Sequence, residues 1–369
     1  MKPAAPKKLP LSGIAWESFI PEIGAAHRAL AQYDGILYGV PNPEVLLSPL
    51  TTQEAVLSSR IEGTRATFDE VLRYEAGEEV AEAEKRLDIQ EIINYRRGMR
   101  TAERALRHRP FNLNLLLELH AVLLDGVRGR NKGRGRFRTV QNYIAPPGAG
   151  IERAFYVPPE PGRVRGYMDN WEKYYHANEP DRLVQLAMVH AQFEMIHPFV
   201  DGNGRVGRML VPLFLHEKGI LSRPMFYLSA YLESHREDYY ALLRGLDGGA
   251  TWNRWIAFFL TALAEQARAN TEKARGILEL YGRLKRQALT LTHSQYAVPL
   301  LDHLFRQPIL APSNLLNHKD MPSKPMVMAL LRKLRDAGIL QVLREARGRR
   351  PQILALAELV NLCEGRKVL

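Results

Sequence analysis

Cysteine is nearly absent from this chain: of 369 residues only Cys363 carries a thiol. A single cysteine excludes an intrachain disulfide framework and fits a reducing compartment. Long apolar runs are missing too, so no segment is expected to span a bilayer. The first ten residues, Met1 to Pro10, are basic but lack the apolar stretch of a signal peptide. The expected location is therefore the cytoplasm, with no membrane partner. Internal repeats and low-complexity segments are also lacking. What remains, 46% hydrophobic and 25% charged residues, is ordinary for a soluble globular protein. The length allows a sizeable core and two or three units.

Acidic residues are scarce in one region. Residues 281–369 hold 15 Lys and Arg against 6 Asp and Glu, so that +9 of the formal +11 sits there. Such a tail admits DNA as a partner.

The richest stretch is 197–208, His-Pro-Phe-Val-Asp-Gly-Asn-Gly-Arg-Val-Gly-Arg. His197 supplies a base that titrates near neutrality. Pro198 discourages the preceding apolar helix from continuing. Gly202, Asn203 and Gly204 permit unusual backbone angles and lead into a new helix near Arg205. Exposed amides at a helix start attract anions, with phosphate the natural occupant. Arg205 and Arg208, three apart, share a helix face from which two guanidinium groups can grip a polyphosphate. Asp201 is placed to hold Mg²⁺ against those phosphates. The combination points to phosphate chemistry.

The stretch resembles the signature of the Fic family, His-Pro-Phe-x-Asp/Glu-Gly-Asn-Gly-Arg-x-x-Arg, at every defined position. The resemblance implies transfer of a nucleoside monophosphate, usually AMP from ATP, to a hydroxyl of a protein. It places Phe199, Gly202, Asn203, Gly204, Arg205 and Arg208 at the nucleotide and makes His197 the catalytic base. Asn203 is expected either to brace the loop or to touch the α-phosphate.

Upstream, a helix over 12–33 is expected from Ile14, Phe19, Ile20, Ile23 and Leu30, followed by a loop at Asn42 and Pro43. Residues 52–74 read as one helix, capped by Thr52 or by nearby Ser48 or Thr51. It carries Ser58-Ser59-Arg60-Ile61-Glu62-Gly63, in which Ser58 and Glu62 share a face. Gly63 inside that helix is expected to cost about 1 kcal/mol relative to Ala. These residues resemble the inhibitory motif Ser/Thr-x-x-x-Glu-Gly/Asn found before many Fic cores. Ser58, Glu62 and Gly63 are then inhibitory, with Glu62 competing for Arg208 against the γ-phosphate. The same carboxylate is equally able to orient water for removal of AMP, and the residues alone leave both roles open.

Helices follow at 82–107 and 113–125, where His120 reads as a core or interfacial residue. The basic, glycine-rich segment 128–138 looks RNA-binding in isolation, but a structured loop suits it better. Gly135 to Arg138 and Gln141 to Ile144 are similar to the Fic segment leading into the target-binding flap. Phe155, Tyr156 and Val157 are strand-like and end at proline; the resemblance makes them the return of a flap hairpin that docks a target by strand addition. Residues 182–196 form the helix feeding the motif, with His190 in the core. After the motif, Met209 to Leu215 are apolar almost all round and are expected at the domain centre. In 223–279, Trp252 and Trp255 read as core, whereas Tyr240 lies in a region resembling the Fic segment beside the adenine.

From about residue 288 the pattern changes. Helices are expected at 294–306, 312–318 and 325–337, the last closed by Gly338, then two short strands at 339–343 and 352–356. Three helices and a hairpin with an arginine-rich tip look like a winged helix. Lys324, Arg332 and Lys333 on the third helix, with Arg347, Arg349 and Arg350 on the wing, are its candidate DNA contacts. Dimerisation or target recruitment would use the same module.

The fold expected is mainly α: a Fic-type helical core with a short β-hairpin flap, plus a C-terminal winged helix-turn-helix domain. The boundaries read as 1–110, 111–280 and 281–369. The expected function is a protein adenylyltransferase that uses ATP and Mg²⁺, acts on a protein substrate (itself included) and is autoinhibited by Glu62. The alternatives are an AMP-removing hydrolase using Glu62, a transferase with another donor, and a DNA-binding regulator whose Fic core senses nucleotide. A homodimer is admitted by all of them.

Overall fold

The computed structural model describes residues 2–40, 42–127, 132–146, 148–246, 251–316, 318–348 and 350–369. The N-terminal half runs through α1 (Ile20–Gly39), α2 (Pro43–Leu46), α3 (Ser48–Ile61), α4 (Phe68–Glu75), α5 (Ala83–Leu106), α6 (Leu113–Leu123) and α7 (Pro161–Tyr175). Then come α8 (Arg182–Ile196), α9 (Asn203–Glu217), α10 (Ser229–Ser234), α11 (Arg236–Gly245), α12 (Trp252–Thr292) and α13 (Ala297–Arg306). The last part is β1 (Ile309–Leu310), α14 (Pro312–Leu315), α15 (Lys324–Asp336), β2 (Gln341–Arg344), β3 (Ile353–Ala355) and α16 (Ala357–Glu364). The protein is thus mostly helical, with one small antiparallel sheet among the described residues.

The chain divides into two compact units. One holds residues 1–35, 57–63 and 93–269; the other holds 36–56, 64–92 and 270–369. Four helices, α1, α3, α5 and α12, contribute residues to both.

The first unit is built on α8 and α9. Asp181 caps α8, its carboxylate accepting from the amides of Leu183 at 2.8 Å and Val184 at 3.0 Å. Met209, Leu210, Val211, Leu213, Phe214 and Leu215 of α9 are all fully buried. Each such side chain contributes about 1.5–3 kcal/mol of transfer free energy, an upper bound because the unfolded chain is itself compact. At Gly98 an added Cβ would lie 2.6 Å from the Met209 methyl, so α5 needs a glycine there to admit that side chain. The helix expected over 12–33 is α1, preceded by a single 3₁₀ turn at Trp16–Phe19. Phe19 and Leu30 face the core, but Ile20 is 65% exposed.

The single helix expected over 52–74 is corrected to two. Gly63 adopts φ +96°, a left-handed angle that ends α3, and Thr67 opens α4 with a capping box shared with Glu70. Gly63 is therefore a terminator, and the helix-interior cost assigned to it does not apply. Pro43 begins the short α2 rather than sitting in a loop.

In the second unit β3 is central and fully buried, with sheet order β1-β3-β2. Ile309 and Leu310 pair with Ala355 and Leu354, and Gln341 and Val342 pair with the same two residues from the other side. The two-residue strand β1 has no counterpart in the sequence pattern, because two residues carry no readable period. The helix expected at 312–318 is only α14. Val327, Leu330, Leu331 and Leu334 bury one face of α15, leaving Lys324, Arg332 and Lys333 exposed. Cys363 is buried, and burial pushes its thiol up to about 12, so it is inert at neutral pH.

Candidate active site

The signature loop joins α8 to α9. His197 closes α8 in the left-handed region, φ 48°, which few non-glycine residues occupy. Gly202, at φ 82°, is the residue before α9. Asn203, the first residue of α9, is buried; its side chain accepts from the Phe199 amide at 2.8 Å and donates to the Phe199 carbonyl at 2.8 Å. Asn142 donates to that same carbonyl at 2.9 Å. Asn203 thus bonds both backbone groups of Phe199.

Two residues not assigned to the site support the loop. Arg138 is buried; its Nε donates to the His197 carbonyl at 2.9 Å and its backbone amide to the Pro198 carbonyl at 2.9 Å. It thereby satisfies carbonyls that the end of α8 leaves open. His120 stacks on Phe199, ring centroids 3.8 Å apart, with Nε2 3.0 Å from the Asp201 carbonyl. Its Nδ1 accepts from the Gly135 amide at 3.0 Å, which fixes the hydrogen on Nε2. Burial lowers the His120 pKa to about 4, so the ring stays neutral. The reading of His120 as a core or interfacial residue agrees with its burial, and the surface it meets is the signature loop. Of the basic segment 128–138, residues 128–131 lie outside the described residues; Arg134 and Arg138 both bond to protein groups.

The arginines hold different partners. Arg208 is 1% exposed; its Nε donates to Ser58 Oγ at 2.9 Å, and its Nη2 donates to the Ser58 carbonyl at 2.8 Å and to Glu62 Oε1 at 2.6 Å. Arg205 reaches Asp201 at 3.3 Å, and Lys132 meets the other Asp201 oxygen at 2.9 Å. Glu62 lies over the start of α9, for a Cβ built on Gly204 would fall 2.1 Å from Glu62 Oε1. The exposed Arg236 caps the end of α3 by donating to the Ile61 carbonyl at 2.5 Å.

A cavity of about 490 Å³ is lined by Glu62, Glu194, His197, Gly204 and Arg208 together with Ile144, Phe155, Tyr156 and Tyr240. About a third of the Glu62 side chain, 32%, is open to solvent. Burial works against its ionisation, but the Arg208 guanidinium foremost, then Arg205, outweighs it and holds the carboxyl below its ordinary range. Desolvation is the largest influence on His197 and lowers its pKa to about 4 despite the Glu62 carboxylate. Its imidazole is therefore neutral at physiological pH, and Nδ1 has no hydrogen-bond partner among the described residues. Glu194, one turn before His197, is the reverse case. Desolvation pushes its carboxyl up to about 8, and Oε1 is without a hydrogen bond. No motif in the sequence marks Glu194, because its position on an apolar helix carries no signal until α9 is packed beside it.

Phe155 is 50% exposed at the cavity rim, whereas Tyr156 and Val157 are buried. The expected flap hairpin is a single antiparallel bridge, Ile144 with Tyr156, rather than a pair of strands. Tyr156 is held by a bond from its hydroxyl to the Met195 carbonyl at 2.8 Å, and Val157 by its carbonyl, which accepts from the Ala4 amide at 2.8 Å. Tyr240 faces the cavity beneath the Arg236 guanidinium, 5.9 Å from its ring centre. His190 is buried between the Gly207 carbonyl at 3.1 Å and the Tyr239 hydroxyl at 2.9 Å, a core role. Arg347 and Arg350 form a tight turn through two backbone bonds of 3.0 Å, and Arg349 lies outside the described residues.

The fit to Mg²⁺ can be tested on the donors. Asp201 offers one carboxylate, 29% exposed, at the mouth of the loop. One carboxylate beside a phosphate site is the donor set Mg²⁺ uses when waters and substrate oxygens complete its shell. Lys132 and Arg205 would have to yield part of that carboxylate.

Comparison with known proteins agrees with this architecture. Residues 20–104 match the Fic/DOC family N-terminal region and residues 110–215 match the Fic/DOC family proper. A "probable protein adenylyltransferase" of Aquifex aeolicus is 27% identical over 212 residues, 56% of this chain and 58% of that one. The protein adenylyltransferase Fic of Drosophila grimshawi is 32% identical over 110 residues, 28% of this chain and 20% of that one. The chain thus spans under two thirds of the length of these curated relatives. Among solved structures, a Fic family protein of Desulfovibrio desulfuricans superposes with TM-score 0.57 at 20% identity, covering 96% of this chain and 98% of its own. A Fic domain containing signaling protein of Bacteroides thetaiotaomicron gives TM-score 0.53 at 19% identity, over 69% and 97%. The two matched regions take in residues 58–63 and the whole signature loop, and on that ground the chain belongs to the Fic family.

Proposed function

We propose that this protein transfers AMP from ATP to a Tyr, Thr or Ser hydroxyl of a protein substrate, itself included, and that Glu62 holds the site inactive. The observation that carries the reading is the placement of the Glu62 carboxylate on Arg208 and over Gly204, beside His197, where a phosphate would otherwise lie. The names of the curated relatives support the same chemistry.

In this reading the neutral His197 accepts the proton of the target hydroxyl, whose oxygen attacks the α-phosphorus in line. The bond from that phosphorus to the bridging oxygen breaks and pyrophosphate leaves. The amides around Gly202 and Gly204, with Arg205 and Arg208, neutralise the phosphates in positions the folded loop fixes beforehand. Phe199 and Asn203 hold the loop, and Tyr240 borders the base. Asp201 would hold Mg²⁺, which supplies charge neutralisation on the phosphates. Glu62, Ser58 and Gly63 form the brake: Glu62 occupies the Arg208 guanidinium needed to align the γ-phosphate, and Ser58 takes its second edge. Phe155, Tyr156 and Val157 border the place where a target segment would lie.

A hydrolytic reading uses the same carboxylate. Glu62 is ionised and partly open to the cavity, the state required of a group that orients water toward a bound AMP ester. The order helix, strand, two helices, two strands in 297–355 supports a winged-helix module with Lys324, Arg332, Lys333, Arg347 and Arg350 toward DNA. The functional division 1–110, 111–280 and 281–369 belongs to the same proposal.

Intact-mass analysis after incubation with Mg²⁺-ATP, alone and with cell lysate, tests it. An AMP-sized adduct that His197→Ala abolishes supports transfer. Nucleotide binding with no adduct in either sample, even for Glu62→Gly, would sink it and favour the hydrolase or the nucleotide-sensing regulator.

A further inference from the structure

We infer that the C-terminal unit carries a binding site for one divalent transition-metal ion of the zinc type, formed by His303, His318 and Asp320. It is independent of the active-site chemistry. One ligand atom from each of the three residues lies within 4.8 Å of the others. His303 projects from the last turn of α13 and is buried, whereas His318 and Asp320 come from the turn between α14 and α15 and are exposed.

The geometry goes beyond a hydrogen-bonded pair. His303 Nε2 lies 3.1 Å from both Asp320 oxygens rather than aligned on one. The His318 ring packs 4.1 Å from the His303 ring and has no hydrogen-bond partner among the described residues. Two ligands at 2.0–2.1 Å on a tetrahedral ion are separated by about 3.3 Å, so small side-chain rotations would bring all three atoms onto one centre. Two imidazoles and a carboxylate favour zinc, nickel or copper over Mg²⁺ or Ca²⁺, which prefer oxygen. With three protein ligands, water completes the coordination.

The placement gives the ion a structural consequence. The His318 backbone carbonyl accepts from the Met321 amide at 3.1 Å, and Ser323 then opens α15. A bound ion ties the end of α13 to this turn and so fixes the start of the helix that displays Lys324, Arg332 and Lys333.

The test uses the full chain, free of any affinity tag and stripped with a chelator, titrated with Zn²⁺ by calorimetry and by competition with a chromogenic chelator. One ion per chain is expected, with a rise in thermal midpoint. His318→Ala and Asp320→Asn are at exposed positions, and circular dichroism without metal checks that each folds. Each is expected to weaken binding at least about tenfold and to remove the thermal shift. Asp201→Asn is expected to bind Zn²⁺ like wild type. Absence of saturable binding, or unchanged stoichiometry and affinity in the folded double variant His318→Ala/Asp320→Asn, would overturn the inference.

Discussion

Glu62 Oε1 lies 2.6 Å from Arg208 Nη2, a contact across 146 positions of sequence that joins the residue after α3 to the last arginine of the signature. Arg208 is 1% exposed, so whichever anion holds this guanidinium excludes a second one from the same edge. If Glu62 is the brake, Glu62→Gly should raise adduct formation at least about tenfold, equivalent to roughly 1.4 kcal/mol of barrier. Ser58→Ala, which removes only the bond to Arg208 Nε, should raise it less. Intact-mass time courses measure both, and equal activity of wild type and Glu62→Gly would exclude the brake.

Asn203 satisfies both backbone groups of Phe199 from within the core. Asn203→Ala leaves the Phe199 amide without a partner and should cost about 1–3 kcal/mol of stability. Asn203→Asp keeps the acceptor and should cost less. Urea denaturation of the two variants gives the comparison; a loss under 0.5 kcal/mol (about the noise of ordinary surface changes) for Asn203→Ala would contradict the bracing role.

Stability should be limited from both sides by pH. His120 and His197, with pKa lowered to about 4, and His190, lowered to about 3, bind fewer protons folded than unfolded. Their contribution is full above the unfolded value of about 6.5 and is lost as pH falls toward 4. Glu194, raised to about 8, has the opposite sign: it keeps a proton that the unfolded chain releases above about 4.5, so stability falls as pH rises from 4.5 toward 8. Thermal midpoints of wild type and Glu194→Gln across pH 4–9 test this. The variant should lack the decline on the alkaline side.

If α15 and the β2–β3 turn face DNA, Arg347→Ala and Arg350→Ala should each lower affinity on all sequences alike and reduce the logarithmic salt slope by about 0.9. Fluorescence anisotropy at several salt concentrations reads both quantities. Unchanged slopes would remove these arginines from the interface.

Much of the site was legible because its chemistry is written in consecutive residues. Proline, three permissive positions and two arginines three apart specify a turn and a helix start whatever surrounds them. The long apolar periods of α8 and α9 likewise identify the central helices. Less was legible where a few residues decide between states. Gly63 read as a costly residue within one long helix, and only its left-handed angle and the Thr67 cap split that helix in two. Residues 155–157 looked like a strand, yet they form one bridge, because strand propensity needs a partner edge to become a ladder.

By itself, then, the sequence determined the local conformation at 197–208, the helical character of the chain and the basic excess of its last ninety or so residues. Tertiary structure alone decided which groups meet. It set Glu62 on Arg208, aimed Arg138 and His120 at the loop's carbonyls and left Glu194 protonated beside His197. It also gathered His303, His318 and Asp320. The reason is physical. Backbone angles follow from neighbouring residues, whereas pKa values, ion pairs and ligand sets depend on distances and desolvation, which come into being only when remote segments pack together.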